Sequence, residues 1–174
     1  SICAGLMLLT ALPTGPTPEP LGAPHFPDRV HAFVWRNWPL APAEDMARVL
    51  GTSAENVERT AQAMGLGKQP AITKELRQRS YITVIRRNWH LLPYEQLLDL
   101  LGWTEDELAY TLREDDFLYV KLGLLKPKCE PLKWVEPDDA TRAREAAIAQ
   151  TVRDSFPAGA TTEVEPLFGF VSEL

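Results

Sequence analysis

Arg36-Asn37-Trp38 recurs as Arg87-Asn88-Trp89, an offset of 51 residues. At the same offset Leu40, Pro42, Glu44, Leu50, Gly51 and Thr60 meet Leu91, Pro93, Glu95, Leu101, Gly102 and Thr111, so 9 of the 26 positions 36–61 are identical without a gap. Apolar matches such as Val34/Ile85, Met46/Leu97, Val49/Leu100 and Val57/Leu108 fill much of the rest. A repeat of this period constrains the fold before any other feature does. Each copy should be one supersecondary unit, and the copies should share a core.

Each copy reads as three helices. In the first, Asp28 caps a helix that runs to about Asn37, with Val30, Phe33, Val34 and Trp38 on one face. Pro42 stands at the start of the next, where a missing N–H costs nothing, and Gly51 ends it. Ser53 caps the third, which turns Val57, Ala61 and Met64 inward and stops at Gly65. The second copy repeats the pattern. Thr73 opens a long helix through Ile82, Ile85 and Trp89, Pro93 starts the next, and Gly102 ends it. Thr104 and Glu107 form a capping box, in which hydroxyl and carboxylate each satisfy an orphan backbone N–H. Apolar spacing of three and four residues favours helix over strand. The expected fold is mainly α: tandem duplicated three-helix units, helix-turn-helix-like, with a short extended segment and a C-terminal helix.

The flanks read differently. The apolar run Ile2–Leu12 is too short to span a bilayer and suits the core of a secretory signal peptide. Residues 1–13 are therefore expected to be a signal-peptide remnant and 14–27 a proline-rich linker. Residues 28–72 are the first three-helix repeat, and 73–136 are the second with an extended tail. Residues 137–174 are expected to form a helix and then the start of a truncated domain. Phe117–Leu122 reads as extended, continuing through Lys126–Trp134. Asp138–Phe156 reads as a helix with Asp138 and Asp139 at its positive end, and Val164–Val171 as a strand. With Cys3 in the remnant, Cys129 has no internal disulfide partner.

A helix-turn-helix arrangement raises the question of DNA. The net charge of −6 is the wrong sign for a protein whose affinity comes from neutralising phosphates. The second helix of each motif is no better. From Thr104 to Asp116 six acids face one arginine, a net charge of five negative. Base readout favours Arg, Lys, Asn or Gln near the helix start, and only Asn56 qualifies. A basic set, Lys74, Arg77, Arg79, Arg86 and Arg87, lies on the long first helix of the second copy instead. DNA regulation stands as the alternative reading, and no nucleic-acid partner is expected.

The sequence holds no phosphate loop, no metal-spaced His/Cys cluster and no serine elbow. No catalytic residue, cofactor or metal ligand is assigned. Trp38 and Trp89, equivalent in the two copies, are expected to anchor the core. Arg36 with Glu44, and Arg87 with Glu95, are expected to pair, tying the first helix of each copy to the second.

The stretches ITVIRRNWHLLPYEQLLDLLGWTEDELAYTLREDDFLYVKLG (82–123) and LKPKCEPLKW (125–134) resemble the N-terminal region of large secreted bacterial proteins classed with the glycoside hydrolases, or carrying uncharacterised carbohydrate-associated domains. The resemblance implies a non-catalytic scaffold or interaction module of a secreted or periplasmic parent. Its partners would be downstream domains of the same polypeptide and polysaccharide, with no stable membrane span. Trp103 stands where the first copy has Thr52, and Trp35 where the second has Arg86. These two aromatics, not demanded by the repeat, are the candidate glycan contacts.

Overall fold

The computed structural model describes residues 19–115 and 117–157 together with Leu12, Thr14 and Gly15. The fold is mainly α. Its elements are β1 (Thr14–Gly15), α1 (Arg29–Asn37), α2 (Ala43–Leu50), α3 (Ala54–Ala63), α4 (Lys74–Asn88), α5 (Tyr94–Leu101), α6 (Glu105–Glu114), α7 (Leu118–Lys121), β2 (Lys126–Pro127) and α8 (Asp139–Ser155). Val164–Val171 and Cys3 lie outside the described residues, as does all but Leu12 of the apolar run.

Local chemistry sets the helix ends. Asp28, Ser53, Thr73 and Asp138 each accept a hydrogen bond from a backbone N–H in the first turn of α1, α3, α4 and α8. The Thr104–Glu107 capping box opens α6. These caps satisfy donors that the helix itself leaves orphaned. Pro42 and Pro93 precede α2 and α5 without a side-chain cap. The first turns of those helices carry Glu44 with Asp45, and Glu95, whose charge favours a helix N-terminus. Gly51 and Gly102 end α2 and α5 in the left-handed conformation, at φ of 64° and 69°.

One core joins the six helices α1–α6. Phe33, Met46, Leu50, Val57, Met64, Ile85, Leu92, Leu97 and Leu108 are all buried within it. Trp38 and Trp89 are 2% and 1% exposed. Each such side chain contributes about 1.5–3 kcal/mol relative to exposure. Within the core α2 packs on α3 and α5, and α1 on α3 and α4.

One expectation for the flanks differs from the structure. Phe117–Leu122 is not extended: Leu118–Lys121 forms the short helix α7. Its residues favour strands, yet only Leu118 is buried, with Leu122 half-buried a helical turn later. One-sided burial at that spacing selects a turn of helix. Described residues of the proline-rich stretch make contacts with the rest of the chain. Thr14–Gly15 pairs in parallel with Lys126–Pro127, and the Arg144 guanidinium donates to the carbonyls of Pro24 and Pro27.

The last helix, α8, packs on α3. Gly65 permits the close approach: at φ of 82°, a Cβ added there would lie 3.0 Å from the Ala149 Cα. Gly51 also has positive φ but faces open space. Gly51→Ala should cost about 1–2 kcal/mol for its left-handed backbone alone. Gly65→Ala should cost more and should release α8 first. Urea unfolding combined with amide exchange on α8 checks both the order and the location.

Candidate functional site

The repeated Arg-Asn-Trp motif ends α1 and α4 and holds the two together. Asn37 Nδ2 donates to Asn88 Oδ1 at 2.9 Å, and Asn88 Nδ2 donates back to Asn37 Oδ1 at 2.8 Å. Each amide also donates to the carbonyl four residues earlier, Phe33 and Val84. Both asparagines are fully buried. The flanking arginines do the same at the rim. Arg36 donates to the Arg87 carbonyl at 3.3 Å, and Arg87 to the Arg36 carbonyl at 2.6 Å.

The expected Arg36–Glu44 and Arg87–Glu95 ion pairs therefore do not form. Glu44 and Glu95 are exposed, and among the described residues no ion pair joins them to these arginines. An exposed carboxylate in the first turn is already favoured by the helix N-terminus. A guanidinium in a last turn does better on carbonyls the helix cannot satisfy. Trp38 and Trp89 are buried, as core anchors must be.

Behind the motif, the C-terminal ends of α1 and α4 are each closed by a side chain from a later segment. Gln69 Nε2 donates to the carbonyls of Trp38 and Ala41. Lys126, which is fully buried, donates from Nζ to the Trp89 carbonyl at 2.9 Å. Its ammonium also sits 5.6 Å from the Trp89 ring and 5.5 Å from the Tyr94 ring. Burial pulls the Lys126 pKa down, partly offset by the neighbouring Cys129 thiol. That thiol is buried 3.6 Å from Lys126 Nζ. Sequence reasoning missed Lys126, because nothing in a Lys-Pro-Lys-Cys string tells which lysine is inside.

His31 is the second buried titratable group. Its Nδ1 lies 2.8 Å from Asp28 Oδ1 and its Nε2 2.8 Å from Glu145 Oε1, so it ties α8 to α1. Burial disfavours the charged ring, but the bonds and charges of the two carboxylates outweigh it and raise the pKa above 6.5. No nucleophile completes this cluster.

The two candidate glycan contacts part ways. Trp35 is half-buried against Phe26, with ring centroids 5.8 Å apart. Trp103 packs on Tyr81 at 5.5 Å and lines a surface groove. The groove has a volume of 680 Å³ between α4, the end of α5 and the start of α6, with Arg77, Leu101, Gly102 and Thr111 in its walls. Trp103, Glu107 and Thr111 also border a second hollow over the outer face of α6. In the first three helices the matching surface is covered. The segment 131–136 lies across α2 and α3, with the Trp134 N–H on the Leu50 carbonyl and its indole N–H on Thr60 Oγ1.

Among the described residues no three His, Cys, Asp or Glu side chains gather as metal ligands, and no helix is long and apolar enough to cross a membrane. Protein-family models, curated proteins and solved structures contain no match to this chain.

The shared ring of hydrogen bonds makes the two asparagines interdependent. Asn37→Ala and Asn88→Ala should each lose about 1–3 kcal/mol, because each strands a buried amide. The double variant should lose clearly less than the sum, since the second change removes the orphan. Additive urea-unfolding free energies would show that the amides do not act as a pair. The His31 contribution is fully present below its ordinary pKa near 6.5 and lost as pH climbs through the raised value. The stability gap between the native chain and His31→Gln should therefore shrink above pH 6.5. His90, whose pKa is lowered by burial and by Lys126, titrates below that window. Thermal unfolding of both chains across pH 5–9 reads the difference.

Proposed function

We propose that this chain is a non-catalytic scaffold or interaction module. Two copies of a three-helix, helix-turn-helix-like unit are locked together about a local two-fold axis. The observation that carries the reading is the reciprocity of the joint. Asn37 with Asn88, and Arg36 with Arg87, exchange hydrogen bonds between positions 51 apart. Swapping the two copies leaves that set of bonds unchanged. The residues the copies share most strongly are thereby spent on holding the copies together. Residues kept for chemistry would instead converge on a cleft.

The exported setting rests on the apolar run 2–12 and on the resemblance to secreted glycoside-hydrolase-associated proteins. In that setting the module would brace downstream domains of its own polypeptide. Any contact with polysaccharide would fall to Trp103, since its indole lines the open groove.

The alternative, a DNA-binding regulator, needs a second motif helix that is free along one face and rich in Arg, Lys, Asn or Gln at its start. α3 is flanked by α8 and by the segment 131–136. α6 opens with Glu105, Asp106 and Glu107. Both facts favour the scaffold. A gel shift with mixed-sequence duplex DNA at about 50 mM salt should show no complex with protein up to roughly 10 μM. A shifted band that fades as salt rises toward about 200 mM would replace the scaffold with the regulator.

A further inference from the structure

The chain carries its own example of a ligand in one of two equivalent grooves. In the first three helices the occupant is the segment 131–136. Gln96 Oε1 accepts the Leu132 N–H at 2.7 Å, and Gln96 Nε2 donates to the Leu132 carbonyl at 2.7 Å. Two residues on, Trp134 donates its backbone N–H to the Leu50 carbonyl at 3.1 Å and its indole N–H to Thr60 Oγ1 at 3.3 Å. Leu132 and Trp134 thus point inward at the period of an extended strand. Glu136 beyond them pairs with Arg59 at 2.7 Å.

Moved by 51 residues, the two receptors of the tryptophan have counterparts lining the 680 Å³ groove. Leu50 becomes Leu101, and Thr60 becomes Thr111. Among the described residues, neither the Leu101 carbonyl nor Thr111 Oγ1 takes part in a hydrogen bond, although Thr111 is only 8% exposed. Ser80, in the same wall and also 8% exposed, holds a buried hydroxyl with no partner. Gln96 becomes Asp45, whose carboxylate lies 2.9 Å from Arg48 through one oxygen and 2.9 Å from the Arg77 guanidinium on the groove wall through the other. An acceptor and a donor again stand together, which is what one peptide unit needs. Arg59 becomes Tyr110, beside Asp106 and Glu107. The place that draws an acid in the first groove therefore favours a basic residue in the second.

We infer that this groove binds an extended peptide segment from another polypeptide. That segment carries an aliphatic residue two places before a tryptophan, and a basic residue two places after it. The backbone would pair with Asp45 and Arg77, the tryptophan N–H with the Leu101 carbonyl, and the indole N–H with Thr111. Main-chain bonds give the affinity, and alternate side chains in pockets give the selectivity. The inference rests on reading the chain as a duplicated interaction module and names the chemistry of its partner.

The test uses the full chain and a synthetic octapeptide copying residues 130–137 with lysine in place of Glu136. Nitrogen-15 NMR titration should give saturable shifts at Gly102, Thr111 and the Trp103 indole. Alanine in place of the peptide's tryptophan should weaken binding about tenfold or more. Thr111→Val in the protein should weaken it roughly fivefold while leaving the urea midpoint in place. Three results would overturn the inference. One is no saturation by about 5 mM peptide. Another is equal binding of the alanine peptide. The third is shifts confined to Gly51, Thr52 and Thr60, meaning exchange with the chain's own segment. The DNA gel shift tests the broader reading separately, so failure of one is distinguishable from failure of the other.

Discussion

The buried amide pair between Asn37 and Asn88 is the constraint on which the arrangement of the helices depends. A primary amide is self-complementary: it gives and accepts in the same plane, so two of them can close a ring of two hydrogen bonds. That ring forms only when both helices present asparagine at the same depth, in related orientations. Displacing α1 along α4 by one residue would strand two amides in the core at about 1–3 kcal/mol each. The arginines reinforce the same register from the rim. Each sits in the last turn of its own helix and donates to a carbonyl in the last turn of the other, where a cation also complements the helix dipole. The tryptophans supply bulk beneath them. Arg-Asn-Trp thus works as one device in three layers: rim charge, buried register, apolar mass.

Beyond α6 the chain covers its helices unequally. A single connecting segment follows α7 and lies across one face of the bundle. It takes the one on α2 and α3, guided by Lys126 on the Trp89 carbonyl and by the Gln96 amide on Leu132. From there Glu136 meets Arg59 and the chain enters α8, which packs on α3. Helix α3 ends up covered on two sides, while the groove beside Trp103 stays open. Sequence differences between the copies respect the same division. Thr52 and Val30, beside the covered groove, become Trp103 and Tyr81 at the open one. There the two rings pack on each other.

The legible part of the fold was the part written in local chemistry. Caps at Asp28, Ser53, Thr73, Thr104 and Asp138, and left-handed glycines at 51 and 102, act within four residues, so their effect can be read from neighbours. The apolar spacing located the core for the same reason. The joint was half legible. The repeat marked Arg36, Trp38, Arg87 and Trp89 as structural, but the nearest opposite charges, Glu44 and Glu95, were the wrong partners. A repeat offset reports equivalence; it does not report that equivalent residues touch. Lys126, Gln96 and Trp134 were not legible as anchors, because their partners lie 36 to 74 residues away. At Phe117, positive φ on a non-glycine residue opened a helical turn that strand propensity argued against. Tertiary burial of Leu118 decided the matter.

Three of the buried polar contacts have a property that the apolar core lacks. Asn37 with Asn88 joins α1 to α4, His31 with Glu145 joins α1 to α8, and Lys126 joins β2 to the end of α4. Each links elements far apart in sequence, at points where leucine would pack as well in several registers. Leucine contacts gain free energy in proportion to area and are indifferent to small slips. A buried amide, imidazole or ammonium is satisfied in one geometry and costly in the others. The core therefore supplies the strength of this assembly, while a few polar contacts choose among its packings.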